Sequence, residues 1–183
     1  MRVIGGKAKG HKLLAVPGDS TRPILDRVRT ALFDVLRPDL EGQFWLDLFA
    51  GTGSVGIEAL SQGAQHCTFI DLSKKAIDTL QQNIAKTGLK DQSEIRHADA
   101  FSFLRNTSRS FDLIYVAPPQ YQDLWTQAVF HIAERPNLLK TGGSIIAQID
   151  PKEYEALNLE NFTEQKQKKY GNTLLVFFTA ASS

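Results

Sequence analysis

Three aspartates and a set of glycines carry the chemistry that can be read first from this chain. Asp47 precedes Gly51, Gly53 and Gly56, which have the G-x-G-x-x-G spacing, and Asp71 follows about 20 residues after the first glycine. Glycines let a ligand pack against bare backbone, and a helix that begins there presents N–H groups to it. A carboxylate at that distance, ending the next strand of a βαβ unit, falls beside a ligand's ribose hydroxyls. Dinucleotides and S-adenosylmethionine (SAM) are both bound in this way. Asp47, just ahead of the turn, favours SAM, whose methionine end carries an amino group that seeks acidic or carbonyl partners. Asp99, after a further short apolar stretch, is placed to meet the adenine edge. A fourth cluster, Ala117-Pro118-Pro119-Gln120-Tyr121, follows the apolar run Phe111–Val116. Two prolines fix φ and remove donors, leaving carbonyls directed out of a rigid turn. That suits an amine whose lone pair must face a methyl group. Methyl transfer from a sulfonium needs in-line alignment and desolvation more than a strong base.

The elements that must position these groups follow from periodicity. Phe44–Phe49, Cys67–Asp71, Ser93–Ala98, Phe111–Val116 and Ser144–Ile149 read as buried strands. Phe162–Lys169 and Thr173–Thr179 flank Tyr170-Gly171-Asn172 as an antiparallel hairpin. A helix is expected from about Pro23, capped by Ser20 or Thr21, with Val28, Leu32 and Leu36 on its inner face and an end at Pro38 to Gly42. Further helices follow the glycines, Ser73 (closed by Gly88) and Asp123, and Leu138–Gly143 reads as a turn. Strands alternating with helices mean a parallel sheet covered on both faces, while the closing hairpin is too short for a parallel crossover.

The expected fold is therefore α/β, a Rossmann-like class I methyltransferase fold. It has a mostly parallel seven-stranded sheet with an antiparallel last strand and helices on both faces. Residues 1–183 form one domain, with residues 1–40 as a basic hairpin and helix added to it. The expected cofactor contacts are Asp47, Phe49, Gly51, Gly53, Asp71, Leu72, Asp99 and Ala100.

At 183 residues and 42% hydrophobic, the chain can bury one core. Net charge is only +1, but it is unevenly spread. Residues 1–40 hold eight Lys/Arg against four Asp, and the remainder thirteen basic against sixteen acidic residues. Such asymmetry marks a segment facing a polyanion, here through Lys7, Lys9, Lys12, Arg22, Arg27 and Arg29. One cysteine, Cys67, excludes an intrachain disulfide and reads as a core thiol. The four histidines show no ligand spacing, so no metal is expected. No apolar run approaches a membrane span and no secretory pattern opens the chain, so a cytoplasmic monomer is expected.

Over nearly its whole length the chain resembles the RsmD family of 16S rRNA guanine-N2 methyltransferases. The resemblance is carried by Arg2-Val-Ile-Gly-Gly-Lys7, Arg22-Pro-Ile-Leu-Asp-Arg-Val-Arg29, Asp47-Leu-Phe-Ala-Gly-Thr-Gly53, His97-Ala-Asp-Ala100, Phe111-Asp-Leu113 and Leu139-Lys-Thr-Gly-Gly143. It implies SAM as cofactor, 16S rRNA or a small-subunit assembly intermediate as partner, and transfer of one methyl group to the exocyclic N2 of a guanine. The family's fourth motif is Asp-Pro-Pro-Tyr or Asp-Pro-Pro-Phe, whereas this chain has Ala117-Pro118-Pro119-Gln120, with Tyr121 one position late. That departure raises a rival reading, a SAM- and RNA-binding protein with weak or no transferase activity. A nicotinamide-dependent oxidoreductase using the same glycine turn is the third reading.

Overall fold

A computed structural model describes residues 1–18 and 24–181. The strands are β1 (Phe44–Asp47), β2 (His66–Asp71), β3 (Ser93–His97), β4 (Phe111–Val116), β5 (Leu139–Ile149), β6 (Phe162–Tyr170) and β7 (Thr173–Ala180). The helices are α1 (Asp26–Leu40), α2 (Ser54–Ser61), α3 (Lys74–Thr87), α4 (Ala100–Asn106) and α5 (Leu124–Glu134). All seven strands form one sheet in the order β3-β2-β1-β4-β5-β7-β6. Strands β1 to β5 pair in parallel, and β7 runs antiparallel to both β5 and β6. The order reverses between β1 and β4, which opens a crevice at the carboxyl ends of those two central strands.

Alternation along the strands divides the interior into two cores. Trp45, Cys67, Phe69, Leu113, Tyr115 and Ile146 face α1, α2 and α3, whereas Leu46, Ile70, Ile114, Val116, Ile145 and Ala147 face α4 and α5. Both faces of a parallel sheet are then covered, as its continuous apolar strands require. Gly56 marks the tightest approach of a helix to the sheet. A Cβ there would lie 2.4 Å from the Phe69 ring and 2.8 Å from Cys67 Sγ, so any side chain would lift α2 off β2.

Several local expectations are corrected. Helix α1 begins at Asp26 after an uncapped Leu25 and runs through Pro38 to Leu40. The cap expected at Ser20 or Thr21 lies outside the described residues. A proline in the last turn costs little more than one ladder bond, and the fully buried Leu40 holds that turn in place. The turn expected at 138–143 lies largely inside β5, as an irregularity opposite Phe111 to Leu113. Gly143 permits it, since a Cβ would lie 2.9 Å from the Lys140 carbonyl and 3.0 Å from that of Asp112.

The N-terminal hairpin shrinks to one antiparallel bridge, Arg2 to Lys12, because the amides of Ile4, Gly5, Lys7 and Ala8 bond to α2 instead. Ile4 N and Gly5 N both donate to the Glu58 carboxylate at 2.9 Å, and Ala8 N donates to Ser61 Oγ at 2.9 Å. Leu14 N donates to Asn83 Oδ1 at 2.8 Å. Val3, Leu13 and Val16 are buried beneath the arm, each contributing roughly 1.5–3 kcal/mol. Glu58 also faces Arg29 Nε at 3.7 Å, with both side chains wholly buried, and Arg29 Nη2 donates to the Arg2 carbonyl.

Removing one partner of a buried pair leaves the other charge uncompensated. Glu58→Ala is therefore expected to cost about 3–5 kcal/mol and to expose residues 1–16 to protease. Urea denaturation and limited proteolysis check both effects; an arm that stays protected would show that apolar burial alone docks it.

Candidate active site

The loops that follow β1, β2, β3 and β4 meet at the carboxyl edge of the sheet. Leu48 N donates to the Tyr115 carbonyl at 3.1 Å, Ala50 N to Ile70 O at 2.8 Å, and Ala98 N to Asp71 O at 3.1 Å. The glycine turn is fixed within this frame. Gly53 adopts a left-handed conformation (φ 81°), and a Cβ on it would meet Leu80 at 2.2 Å. Only glycine satisfies both conditions. Asn83 Nδ2 donates to Thr52 O at 2.9 Å, tying the turn to α3.

The acidic residues separate into different roles. Asp71 ends β2 half-buried and accepts from Gly51 N and Ser73 N, both at 2.8 Å. A carboxylate offers about four acceptor positions, so Asp71 keeps capacity for ligand hydroxyls. Beside it Leu72 is 68% exposed, an apolar surface with no core to join. Gly51 (φ 55°) has no atom within 4 Å of where a Cβ would stand, so the turn is open on that side. Asp99 is exposed and caps α4, accepting from Ser102 N at 2.9 Å, while Ala100 is buried behind it. Phe49 is partly buried against the second core.

Asp47 departs from its expected place. It is 2% exposed, and its carboxylate accepts from Gly56 N at 3.3 Å, inside the first turn of α2. Burial, and secondarily the nearby Asp71 charge, push its pKa up to about 7 against the Gly56 hydrogen bond. It therefore supports the turn from below instead of reaching a ligand amino group. Two N–H groups of the helix start are also taken within the protein: Ser54 N donates to Thr52 Oγ1 at 3.2 Å and Gly56 N to Asp47. The N–H groups expected to face a ligand at these two positions are already used.

The fourth loop, Ala117–Tyr121, lies beside the end of β5. Ala117 and Pro118 are half-buried, Pro119 is exposed, and Tyr121 is 63% exposed in a left-handed conformation (φ 62°). Tyr121 Oη donates to Asp150 Oδ2 at 2.6 Å, and Tyr121 N donates to Glu153 Oε1 at 2.7 Å. Asp150 and Glu153 form a capping box on the 3₁₀ turn Pro151–Glu153. The run Asp150-Pro-Lys-Glu153 directly after an apolar strand is the sequence signal for them.

The basic residues scatter. Arg29 is wholly buried with Glu58 and leaves the RNA-facing set. Arg22 lies outside the described residues. Lys7 is exposed but donates to Gln92 Oε1, and its amide donates to the Ser61 carbonyl, near the amino ends of β2 and β3. Lys9 adjoins Ala8 on that same side, and Lys12 pairs with Arg2. Of the described members of that set, Arg27 stands at the carboxyl edge, with Nη2 beside Gly171 in the β6–β7 turn. Lys169, exposed and paired with Leu174, reaches that edge too. It belongs to no motif, and only strand register places it there. Among the described residues, no cluster of His, Cys, Asp and Glu could hold a metal, and no helix is long and apolar enough to cross a membrane.

Strand order, switch-point crevice and converging loops define a class I methyltransferase fold. A solved Escherichia coli structure, yhhF, superposes with a TM-score of 0.87 at 27% identity, covering 98% of this chain and 97% of that one. A Haemophilus influenzae structure superposes at 0.80 with 32% identity, covering 99% and 98%. The chain belongs to the family described as conserved hypothetical protein 95, matched over residues 1–179, which is the RsmD family of the sequence resemblance. It is 33% identical to ribosomal RNA small subunit methyltransferase D of Haemophilus influenzae, over 93% of this chain and 89% of the relative. It is 35% identical to YlbH of Bacillus subtilis, over 94% and 95%.

The raised Asp47 pKa sets a pH dependence. Well below the ordinary aspartate value of 3.8 folded and unfolded chains both hold the proton, and Asp47 adds nothing. Between about pH 4 and pH 7 the unfolded chain ionises first, so this group lowers stability progressively as pH rises. Asp47→Asn keeps an acceptor for Gly56 and removes the ionisation. Urea melts across pH should show the variant gaining on wild type up to about pH 7, by on the order of 1.4 kcal/mol per unit at most.

Proposed function

We propose that this protein transfers a methyl group from SAM to the exocyclic N2 of a guanine in 16S rRNA. The observation that carries the cofactor assignment is that two N–H groups at the start of α2 are already taken. A pyrophosphate binds helix N–H groups and the positive end of the helix dipole. Here the Asp47 carboxylate takes the Gly56 N–H, and Thr52 takes that of Ser54. An acid lies where a dinucleotide's phosphates would need donors, which disfavours the nicotinamide reading. SAM has no phosphates. The open side of Gly51, the Asp71 carboxylate and the exposed Leu72 fit its ribose and adenine. Asp71 would accept from the ribose hydroxyls, Leu72 would cover the adenine, and Asp99–Ala100 would border its edge.

Bound there, SAM would supply an electrophilic methyl group that passes to the substrate nitrogen as its bond to sulfur breaks, and the methylated nitrogen gives up one proton to solvent. The fourth loop orients that nitrogen. A base inside a duplex cannot reach the loop, so the guanine must be splayed out, as loops and bulges of RNA allow. The Pro118 carbonyl and the Gln120 side-chain carbonyl accept from the N2 amine, aim its lone pair, and Tyr121 walls the base. Ala117 supplies no carboxylate, and a neutral amide acceptor is weaker than a charged one. Turnover is correspondingly slow. The relatives named as small-subunit rRNA methyltransferases support the RNA assignment. Arg27 and Lys169 give the carboxyl edge its cations for phosphate.

Titration calorimetry should detect SAM and S-adenosylhomocysteine but not NAD, with Asp71→Ala weakening both ligands by about 1–3 kcal/mol. Tritiated methyl incorporated into rRNA from cells lacking the gene should map to a guanine N2. Label elsewhere, or NAD binding of equal strength, overturns the assignment.

Single-turnover rates probe the fourth loop. Gln120→Ala should slow transfer roughly tenfold, equivalent to about 1.4 kcal/mol of transition-state stabilisation, and Ala117→Asp should preserve or raise the rate. If wild type binds SAM and RNA yet transfers nothing while Ala117→Asp transfers, the protein is a binding protein.

A further inference from the structure

Tyr121 combines features that folding alone does not require. The residue is 63% exposed, so burial gains little from it, yet its backbone is left-handed, a region disfavoured for a residue with a Cβ. Two hydrogen bonds hold it there, from Oη to Asp150 Oδ2 (2.6 Å) and from N to Glu153 Oε1 (2.7 Å). Both acceptors are themselves fixed. Asp150 is buried, and its other oxygen accepts from Lys152 N at 2.9 Å. Glu153 accepts from Asp150 N at 3.4 Å, and its carbonyl accepts from the indole of the buried Trp125 at 3.3 Å. The loop after Pro118-Pro119 is thus tied through main chain and side chain to the end of β5.

An aromatic residue that is largely exposed yet clamped at its phenol and its amide is suited to receive a planar group. Stacking on a freely rotating ring loses affinity to ordering, and a pre-fixed ring avoids that loss. We infer that Asp150 and Glu153 are positioning residues that hold Tyr121 as the stacking platform for the extruded guanine. The left-handed turn compensates for the aromatic standing at 121, one place beyond Gln120. This rests on the reading that an RNA base enters at the fourth loop, and adds which residues receive it.

Steady-state transfer to unmodified 16S rRNA, with SAM affinity and melting temperature measured alongside, tests the clamp. Tyr121→Ala should raise KM for RNA about tenfold or more, the loss expected for one base–aromatic stack. Tyr121→Phe and Asp150→Ala delete the same hydrogen bond. Each should raise KM about tenfold, and the double variant should be no worse than either. Asp150→Asn retains an acceptor oxygen and should stay within about threefold of wild type. SAM affinity should not move in any of them. RNA binding by anisotropy, with S-adenosylhomocysteine saturating, gives the same comparison without turnover. A protein silent in transfer whose RNA affinity still depends on Tyr121 would sink the catalytic reading and support the platform. Tyr121→Ala that binds and methylates RNA as wild type does, with only its melting temperature lowered, overturns it.

Discussion

The buried pair of Arg29 and Glu58 is the constraint on which the rest of the architecture leans. Burying two opposite charges recovers little net energy, because desolvation offsets most of their attraction. Their value lies in what they tie together. Glu58 sits in the middle of α2 and accepts from Ile4 N and Gly5 N, while Arg29 from α1 reaches Glu58, Asp26 and the Arg2 carbonyl. One carboxylate and one guanidinium thus join the arm, α1 and α2. Desolvation by burial lowers the Arg29 pKa against the opposing Glu58 and Asp26 charges, yet an arginine stays protonated in proteins. Both charges therefore persist, and neither tolerates loss of the other. Helix α2 starts at the glycine turn, so whatever fixes α2 also fixes the roof of the cofactor crevice.

Beneath that roof two aspartates that look equivalent in sequence do opposite work. Asp71 stands at the rim with acceptor capacity to spare, and Asp47 is sealed under the helix start. A sealed carboxylate occupies the position from which a dinucleotide fold would offer N–H groups to phosphate. The same G-x-G-x-x-G spacing is compatible with two ligand classes, and the residue beneath the turn is what separates them in the reading proposed above. Cys67 and Tyr115 share this pocket with Asp47, and burial pushes both of their pKa values well up. Neither is a nucleophile here.

Much of the fold was legible because parallel strands announce themselves as short apolar runs. Phe111–Val116 was bounded correctly, between Ser110 and the Pro118-Pro119 turn, and Ser73 and Gly88 marked the ends of α3 through capping chemistry. What stayed hidden was tertiary. Arg29 looks like a surface cation, since nothing local shows that Glu58 waits across α2. Pro38 reads as a helix end because the anchoring of Leu40 is not local either. Gly142-Gly143 reads as a turn because an irregularity inside a strand needs the same residues. Within the site, the glycine turn and Asp71 were legible from spacing. The true place of Asp47 depends on a hydrogen bond nine residues on, and Lys169 gained meaning only from strand register.

The site divides into halves with different mechanical character. Its cofactor half, built from the ends of β1, β2 and β3, uses regular caps and glycines where glycine is required. Its substrate half, built from the ends of β4 and β5, contains non-glycine residues at positive φ, Tyr121 and Asp123. Each such residue costs about 1–2 kcal/mol, and the surrounding structure must over-determine it to persist. The departures from the family's fourth motif fall in this strained half. Ala117 and Gln120 replace the acid and the aromatic of that motif, while Asp150 and Glu153 hold the loop through Tyr121. A loop anchored from outside its own motif can change its acceptors and keep its shape. The other half has no comparable freedom, because Asp71 holds Gly51 N, Asp47 holds Gly56 N, and Gly53 leaves no room for a Cβ beside Leu80.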